Sequence, residues 1–405
     1  MTNSHPAIPA LAASVAKPQP VHVMTKPRGA ICNLDCAYCY FLKKEALYPD
    51  SKFRMDDATL EQFTRQYIEQ GGDEVVFSWQ GGEPTMMKLA FFERAVQLQQ
   101  QYQRPGTQIF NTFQTNGTLL DDDWCRFFKQ HNFLVGLSLD GPRELHDAYR
   151  VDKRGAPTFD SVMAGLALLQ KYAIPTNILC TLHAANADHA LEVYRFLRDE
   201  AKAEFIQFIP IVERDSISGI QFGNKVTARS VTAKQFGEFH IAVFEEWVRH
   251  DVGRVFVQMF DIALGIWLGD AASLCVFAET CGNALALEHN GDVYSCDHFV
   301  EPRHLLGNIG QRQLGELAYL PQQQAFGNAK RDTLPRQCRE CPVRFACNGG
   351  CPKDRIIKSR DGESGLNYLC DGYFALFSHL DAPMKHMAQL LRTEQSPAQI
   401  MKQYQ

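Results

Sequence analysis

The sequence predicts an α/β protein, a parallel sheet of βα units followed by a smaller C-terminal region of another kind, and three observations carry that expectation. Between about residues 20 and 212, short β-branched or aromatic runs alternate with longer stretches of helical apolar spacing, the pattern of consecutive βα units. From residue 271 the chain changes to short, turn-rich pieces dense in Cys, Gly, Asn and Pro. Of thirteen cysteines, three lie between Cys32 and Cys39 and eight between Cys275 and Cys370.

Six strands are read in order: VHVMTK from Val21, EVVFSWQ from Glu74, IFNTFQTN from Ile109, FLVGLSLDG from Phe133, TNILCTLH from Thr176 and EFIQFIPIV from Glu204. Several end in polar residues, so their carboxyl ends predict one working face. Between them, stripes such as Phe159, Val162, Met163, Leu166 and Leu169 predict helices covering the sheet. Thr232 with Gln235 fits a capping box ahead of Phe236, Phe239, Val243 and Phe244. The division that results is a disordered extension over 1–19, a sheet domain over 20–230, a helical connector over 231–270, a cysteine-rich domain over 271–385 and a tail over 386–405. The last domain is too irregular to build a large apolar core, so metal is expected to stabilise it.

Composition narrows the function. No stretch reaches the ~18 apolar residues of a membrane span, and the opening residues lack a secretion signal, which predicts a cytoplasmic protein. A net charge of −5 gives a nucleic-acid-binding face no support. In a reducing compartment, grouped cysteines point to metal rather than disulfides, whereas the isolated Cys125 and Cys180 fit a core.

Cys32, Cys36 and Cys39 form Cys-x3-Cys-x2-Cys directly after the first strand. A [4Fe–4S] cluster has four ligand positions, so three thiolates leave one iron open to an external amine and carboxylate, such as the methionine end of S-adenosylmethionine (SAM). A zinc knot completed by His22 is the alternative on spacing alone. After the second strand comes Gln80-Gly81-Gly82-Glu83-Pro84, where two glycines let backbone approach a ligand and Glu83 can accept from a bound ammonium. Taken singly, this segment is a turn.

Together the two motifs resemble the radical SAM superfamily, over most of the chain. The resemblance implies a partial (β/α)6 barrel, Tyr38 beside the adenine, Gly82 and Glu83 near the methionyl amine, and Asn116, Ser138 and Arg150 lining the SAM pocket. The later cysteines run Cys275-x5-Cys281, Cys296, then Cys338-x2-Cys341-x5-Cys347-x3-Cys351, and finally Cys370. Eight thiolates suit two four-ligand sites, zinc ribbons or iron–sulfur clusters. Their spacing resembles the SPASM module, which implies two auxiliary [4Fe–4S] clusters, one on Cys275, Cys281, Cys296 and Cys351, the other on Cys338, Cys341, Cys347 and Cys370.

Within that group the segments FSWQGGEP, FQTNGTLL, GLSLDGP, FIQFIP, GDVYSCDHFV and LGNI resemble anaerobic sulfatase-maturating enzymes. The implied reaction converts a cysteine or serine of a sulfatase polypeptide to Cα-formylglycine. A deoxyadenosyl radical takes a β-hydrogen, Asp297 removes the thiol or hydroxyl proton as general base, and an electron leaves through the auxiliary clusters. Gln80 is placed near the substrate peptide, and a flavodoxin- or ferredoxin-type protein donates electrons. One departure stands out: after Cys39 the family often reads Phe-Tyr, whereas this chain has Tyr40-Phe41, and Phe41 has no hydroxyl for a substrate. Two rival readings are a SPASM-type maturase of another ribosomal peptide or protein and, in a different class, a non-catalytic zinc-binding regulator.

Overall fold

The computed structural model describes residues 21–214 and 223–404; the extension expected over 1–19 lies outside the described residues. Six strands form at the β-branched and aromatic runs: β1 (His22–Lys26), β2 (Glu74–Trp79), β3 (Gln108–Thr115), β4 (Leu134–Ser138), β5 (Thr176–Leu182) and β6 (Phe205–Pro210). Each pairs in parallel with the next. Their two faces differ in the period-2 manner of strands. Val23, Phe77, Phe113, Val135, Ile178 and Ile206, at most 2% exposed, belong to one apolar core with the surrounding helices. On the other face, Met24, Ser78, Gln114, Gly136, Asn177 and Gln207 wall a single cavity of about 200 Å³. A cavity shared by the first and the sixth strand requires a curled sheet, yet β1 and β6 do not pair. The architecture is a partial barrel.

The helix Phe159–Lys171 buries Val162, Leu166 and Leu169 as its stripe requires, and Cys125 and Cys180 are fully buried in the core. Thr232 caps the helix Ala233–His250: its hydroxyl accepts from Gln235 N at 3.2 Å while Gln235 Oε1 accepts from Thr232 N at 3.1 Å.

The C-terminal region departs from expectation. A short β7 (Phe256–Val257) extends the sheet beyond β6. At the opposite edge β8 (Ala284–Glu288) pairs in parallel with β1, and β9 (Asp292–Tyr294) and β10 (Leu305–Asn308) follow antiparallel, giving ten strands in one sheet. The cysteine-rich region therefore draws stability from sheet pairing and from an apolar core that runs without a break from Val23 to Ile400. The tail expected from 386 is also packed: the helix Cys370–Arg392 passes through that position, and Met387, Ala388 and Ile400 are buried. This helix meets Ala233–His250 at paired glycines, where a Cβ on Gly372 would lie 2.2 Å from the carbonyl oxygen of Ala233. Among the described residues, no helix is long and apolar enough to cross a membrane.

Candidate active site

Cys32, Cys36 and Cys39 lie in the irregular loop that leaves β1, all three as free thiols. Burial, reinforced by Glu83 and by the neighbouring thiols, pushes Cys32 up to about 12. Burial likewise lifts Cys36 to about 11, with Arg150 opposing it and Cys39 adding to it. The turn after β2 grips this loop. Gly81 and Gly82 have φ of +80° and +50°, a Cβ on Gly82 would stand 2.1 Å from the carbonyl oxygen of Ile31, and Glu83 N donates to that same oxygen at 2.9 Å.

Glu83, 1% exposed, already meets four donors of the protein. Its Oε1 accepts from Thr85 N at 3.0 Å, Thr85 Oγ1 at 2.7 Å and Thr115 Oγ1 at 2.8 Å, and its Oε2 accepts from Asn116 N at 2.8 Å. The carboxylate thus ties the turn to the end of β3. Asn116 continues the tie to the cysteine loop, donating through Nδ2 to Asn33 Oδ1 at 2.9 Å and approaching Cys32 Sγ at 3.7 Å. Ser138 sits farther along the barrel interior and accepts from Gln114 Nε2 at 3.1 Å.

Tyr38 and Arg150 meet at Asp140, a fully buried residue at the end of β4 that sequence reasoning passed over within SLDGP. The Tyr38 hydroxyl donates to Asp140 Oδ2 at 2.6 Å, and Arg150 reaches both carboxylate oxygens, from Nε at 2.8 Å and from Nη2 at 3.2 Å. Burial would raise the Asp140 carboxyl, but Arg150 and His183 hold it far below the usual range. This pair fixes a cation within electrostatic reach of Cys36 and Cys39.

The eight later cysteines separate into two groups. Beyond the effect of burial, Cys296 feels Cys351 and Cys275, Cys351 feels Cys275, and Cys281 feels Cys275. Cys338 feels Cys341, Cys347 feels both, and Cys370 feels Cys338, Cys347 and Cys341. Fold and spacing thus bring together the same two sets of four, all free thiols. Among the described residues, no three His, Cys, Asp or Glu side chains converge tightly enough for a single metal ion; a cluster of four irons spreads its four thiolates around a larger cage. The donor sets, three and four and four thiols in buried or half-buried loops, fit iron–sulfur clusters in number and chemistry.

Asp297 follows Cys296 and is 8% exposed. It is held by two residues that the sequence did not single out. Lys26, the last residue of β1, forms a buried ion pair with Oδ1 and lies 3.9 Å from the centroid of the Phe41 ring. The Tyr40 hydroxyl donates to Oδ2 at 2.5 Å. Burial would raise the Asp297 carboxyl; Lys26, His298 and the bond from Tyr40 outweigh it and hold the group below its ordinary range. The exchanged order Tyr40-Phe41 therefore has a structural meaning, with the tyrosine on the carboxylate and the phenylalanine under the ammonium. Gln80 walls the barrel cavity, and its Oε1 is buried without a hydrogen-bond partner. A second cavity, about 400 Å³, opens near Phe205 and Phe256 at the amino ends of the strands and contains none of the candidate residues.

Comparison with known proteins agrees with this geometry. The model of the Radical SAM superfamily matches residues 27–197, and that of the SPASM iron–sulfur cluster-binding domain matches residues 275–342. A serine-type anaerobic sulfatase-maturating enzyme of Bacteroides thetaiotaomicron is 46% identical over 95% of both chains. The serine-type enzyme of Klebsiella aerogenes is 37% identical over 93% of this chain and 89% of its own, and a cysteine-type enzyme of Clostridium perfringens 32% over 89% and 96%. A solved structure of native anSMEcpe with bound AdoMet and Cp18Cys peptide superposes with a TM-score of 0.82 at 31% identity, covering 92% of this chain and all of that one. With this likeness along nearly its whole length, the chain belongs to the anaerobic sulfatase-maturating enzymes of the radical SAM superfamily.

Proposed function

We propose that this protein oxidises a seryl or cysteinyl residue of a sulfatase polypeptide to Cα-formylglycine, with Asp297 as the general base. The observation that carries the reading is the place of Asp297: a buried carboxylate directly after Cys296, held by Lys26 of β1 and by Tyr40 of the three-cysteine loop. It stands where the two cysteine regions meet, beside a barrel cavity walled by Gln80.

Cys32, Cys36 and Cys39 hold the cluster that takes SAM. Cys275, Cys281, Cys296 and Cys351 hold one auxiliary cluster, and Cys338, Cys341, Cys347 and Cys370 the other. When bound, these groups supply one-electron chemistry that removes a hydrogen atom from an unactivated carbon. The residues of the chain do the rest. Asp297 accepts the hydroxyl or thiol proton as the C=O or C=S bond forms, and Lys26 and Tyr40 fix its carboxylate. Gln80 Oε1 offers a buried acceptor to a peptide N–H, and the glycine turn with Glu83, Asn116 and Ser138 shapes the cofactor side of the cavity. Tyr38, Arg150 and Asp140 brace the cysteine loop from the side of β4. Higher identity to the serine-type relatives, 46% and 37% against 32% for the cysteine-type enzyme, favours a seryl target. Thirteen free thiols suit a reducing cytoplasm and a flavodoxin- or ferredoxin-type electron donor.

The test is an anaerobic reaction of reconstituted protein with dithionite, SAM and peptides carrying Ser-x-Pro-x-Arg or Cys-x-Pro-x-Arg, read by mass spectrometry. Formylglycine forming with 5′-deoxyadenosine, and disappearing in Asp297→Asn while SAM cleavage continues, is the expected result. Cleavage of SAM with both peptides unchanged refutes the substrate assignment.

A further inference from the structure

Two cations behind the auxiliary-cluster cysteines take no part in the reaction as described so far. Lys330, on the helix Pro321–Asp332, is 1% exposed. Its ammonium donates to the carbonyl oxygens of Cys275 at 2.6 Å and Val276 at 2.9 Å, and to that of Ala278. The carbonyl oxygen of Lys330 in turn accepts from Arg355 Nη1 at 2.6 Å. Arg355 spends its other donors on Gly349 O, from Nε at 3.1 Å, and on Asn348 O, from Nη2 at 3.0 Å. Those two residues lie between Cys347 and Cys351, so a hydrogen-bonded string runs from the loop of Cys275 to the loop that contributes to both sets of four.

Every acceptor these two side chains reach is an uncharged carbonyl. A cation withdrawn from water without a counter-charge is costly, and the groups of opposite charge within reach are the thiolates. Burial pulls the Lys330 ammonium down while Cys281 and Cys351 oppose the fall. Burial does the same to Arg355, opposed by Cys338, Cys351, Cys347 and Cys281, members of both sets. A positive charge favours the reduced, more negative state of an iron–sulfur cluster, because net charge and solvent exposure are among the terms that set its potential.

We propose that Lys330 and Arg355 are positioning cations that raise the reduction potentials of the two auxiliary clusters, with Arg355, shared between them, keeping the two close enough to exchange an electron. The proposal rests on the ligand sets assigned above. Oxidation of the peptide side chain releases two electrons; one leaves with the hydrogen atom, and the second needs an acceptor whose potential these charges set. Lys330 acts mainly on the cluster of Cys275, Cys281, Cys296 and Cys351.

The experiment is a potentiometric titration of the full-length, anaerobically reconstituted protein, followed by electron paramagnetic resonance, with iron and sulfide measured on each sample. The neutral variants are Arg355→Gln and Lys330→Gln; Arg355→Lys and Lys330→Arg keep the charge. At one poised potential, the reduced-to-oxidised ratio of the auxiliary clusters is expected to fall about tenfold in the neutral variants, equal to 59 mV for a one-electron couple. Arg355→Gln should shift both auxiliary centres and Lys330→Gln chiefly one, while the cluster that takes SAM stays put and the charge-keeping variants remain close to the parent. Fully loaded neutral variants with unchanged ratios overturn the proposal, as do charge-keeping variants that shift as far as the neutral ones. If Arg355→Gln does not load, Lys330→Gln decides alone, and an unmoved potential there overturns it. Fewer than two auxiliary centres in the unaltered protein would instead remove the ligand sets, a failure visible before any variant is made.

Discussion

Replacing Lys26 with Met tests whether Asp297 is the base and whether its ion pair matters to catalysis. The substitution keeps the length of the side chain and removes the charge that faces Oδ1, leaving the 2.5 Å bond from Tyr40 as the principal support of the carboxylate. An opposite charge in close contact typically shifts a carboxyl by about 1–3 units. Burial, the largest influence on Asp297, then acts against fewer opponents, so its carboxyl rises. At ~1.36 kcal/mol per unit, a tenfold change in rate for each such step, formylglycine formation should fall roughly 10- to 1,000-fold at neutral pH. The sign with pH follows: a raised carboxyl is protonated over more of the acid range, so the loss deepens as pH falls and recovers as it rises. Cleavage of SAM does not use this base and should change little. The assay counts 5′-deoxyadenosine and formylglycine in the same sample at several pH values, with Lys26→Arg as the charge-keeping control. Lys26→Met with an unaltered ratio of the two products at every pH would refute the reasoning.

Further outcomes follow from the same geometry. Gly82→Ala puts a methyl where Ile31 O stands 2.1 Å away, at φ +50°; added to ~1–3 kcal/mol of backbone strain, it should cost the protein one cluster's iron and its affinity for SAM, read by iron analysis and equilibrium binding. Asp140→Asn leaves Arg150 buried beside a neutral amide, and loss of one partner of a buried pair costs roughly 3–5 kcal/mol, so the urea midpoint should drop with the m-value unchanged. His146 and His240 are both held down to about 4 by burial. Unfolded, each takes its proton near pH ~6.5, so stability should be full above that value and fall as pH drops toward 4, by about 2 kcal/mol per histidine at pH 5. Chemical denaturation at pH 7 and 5 checks this, with His240→Leu expected to weaken the dependence.

Much of the molecule was legible where chemistry is local. The six strands of the barrel announced themselves because β-branched and aromatic runs lie between turn signals, and Thr232 with Gln235 marked a helix start that the structure caps in that way. Cysteine spacing, with the family resemblance, grouped the eight later thiols as the fold groups them. What stayed hidden depends on partners far apart in the chain. Nothing in ALALE at Ala284–Glu288 distinguishes a strand beside β1 from one in a separate domain. Tyr40 and Lys26 meet Asp297 across more than half of the sequence. The one clue to Lys26 was a charged residue closing an apolar strand run, and to Asp140 its place beside Ser138, where the working face was expected. Lys330 and Arg355 gave no clue, because their acceptors are main-chain carbonyls, which any sequence provides.

The pairing of β8 with β1 also bears on how the protein is made. The first barrel strand to leave the ribosome gains its second neighbour only when residues 284–288 arrive, so until then it is an open edge with unsatisfied N–H and C=O groups. Such an edge is a template for another chain, and the nascent protein carries it through most of synthesis. A fragment ending after the connector should therefore self-associate rather than behave as an independent cofactor-binding barrel. The two halves recognised by separate family models share one sheet, and each depends on the other for a finished edge.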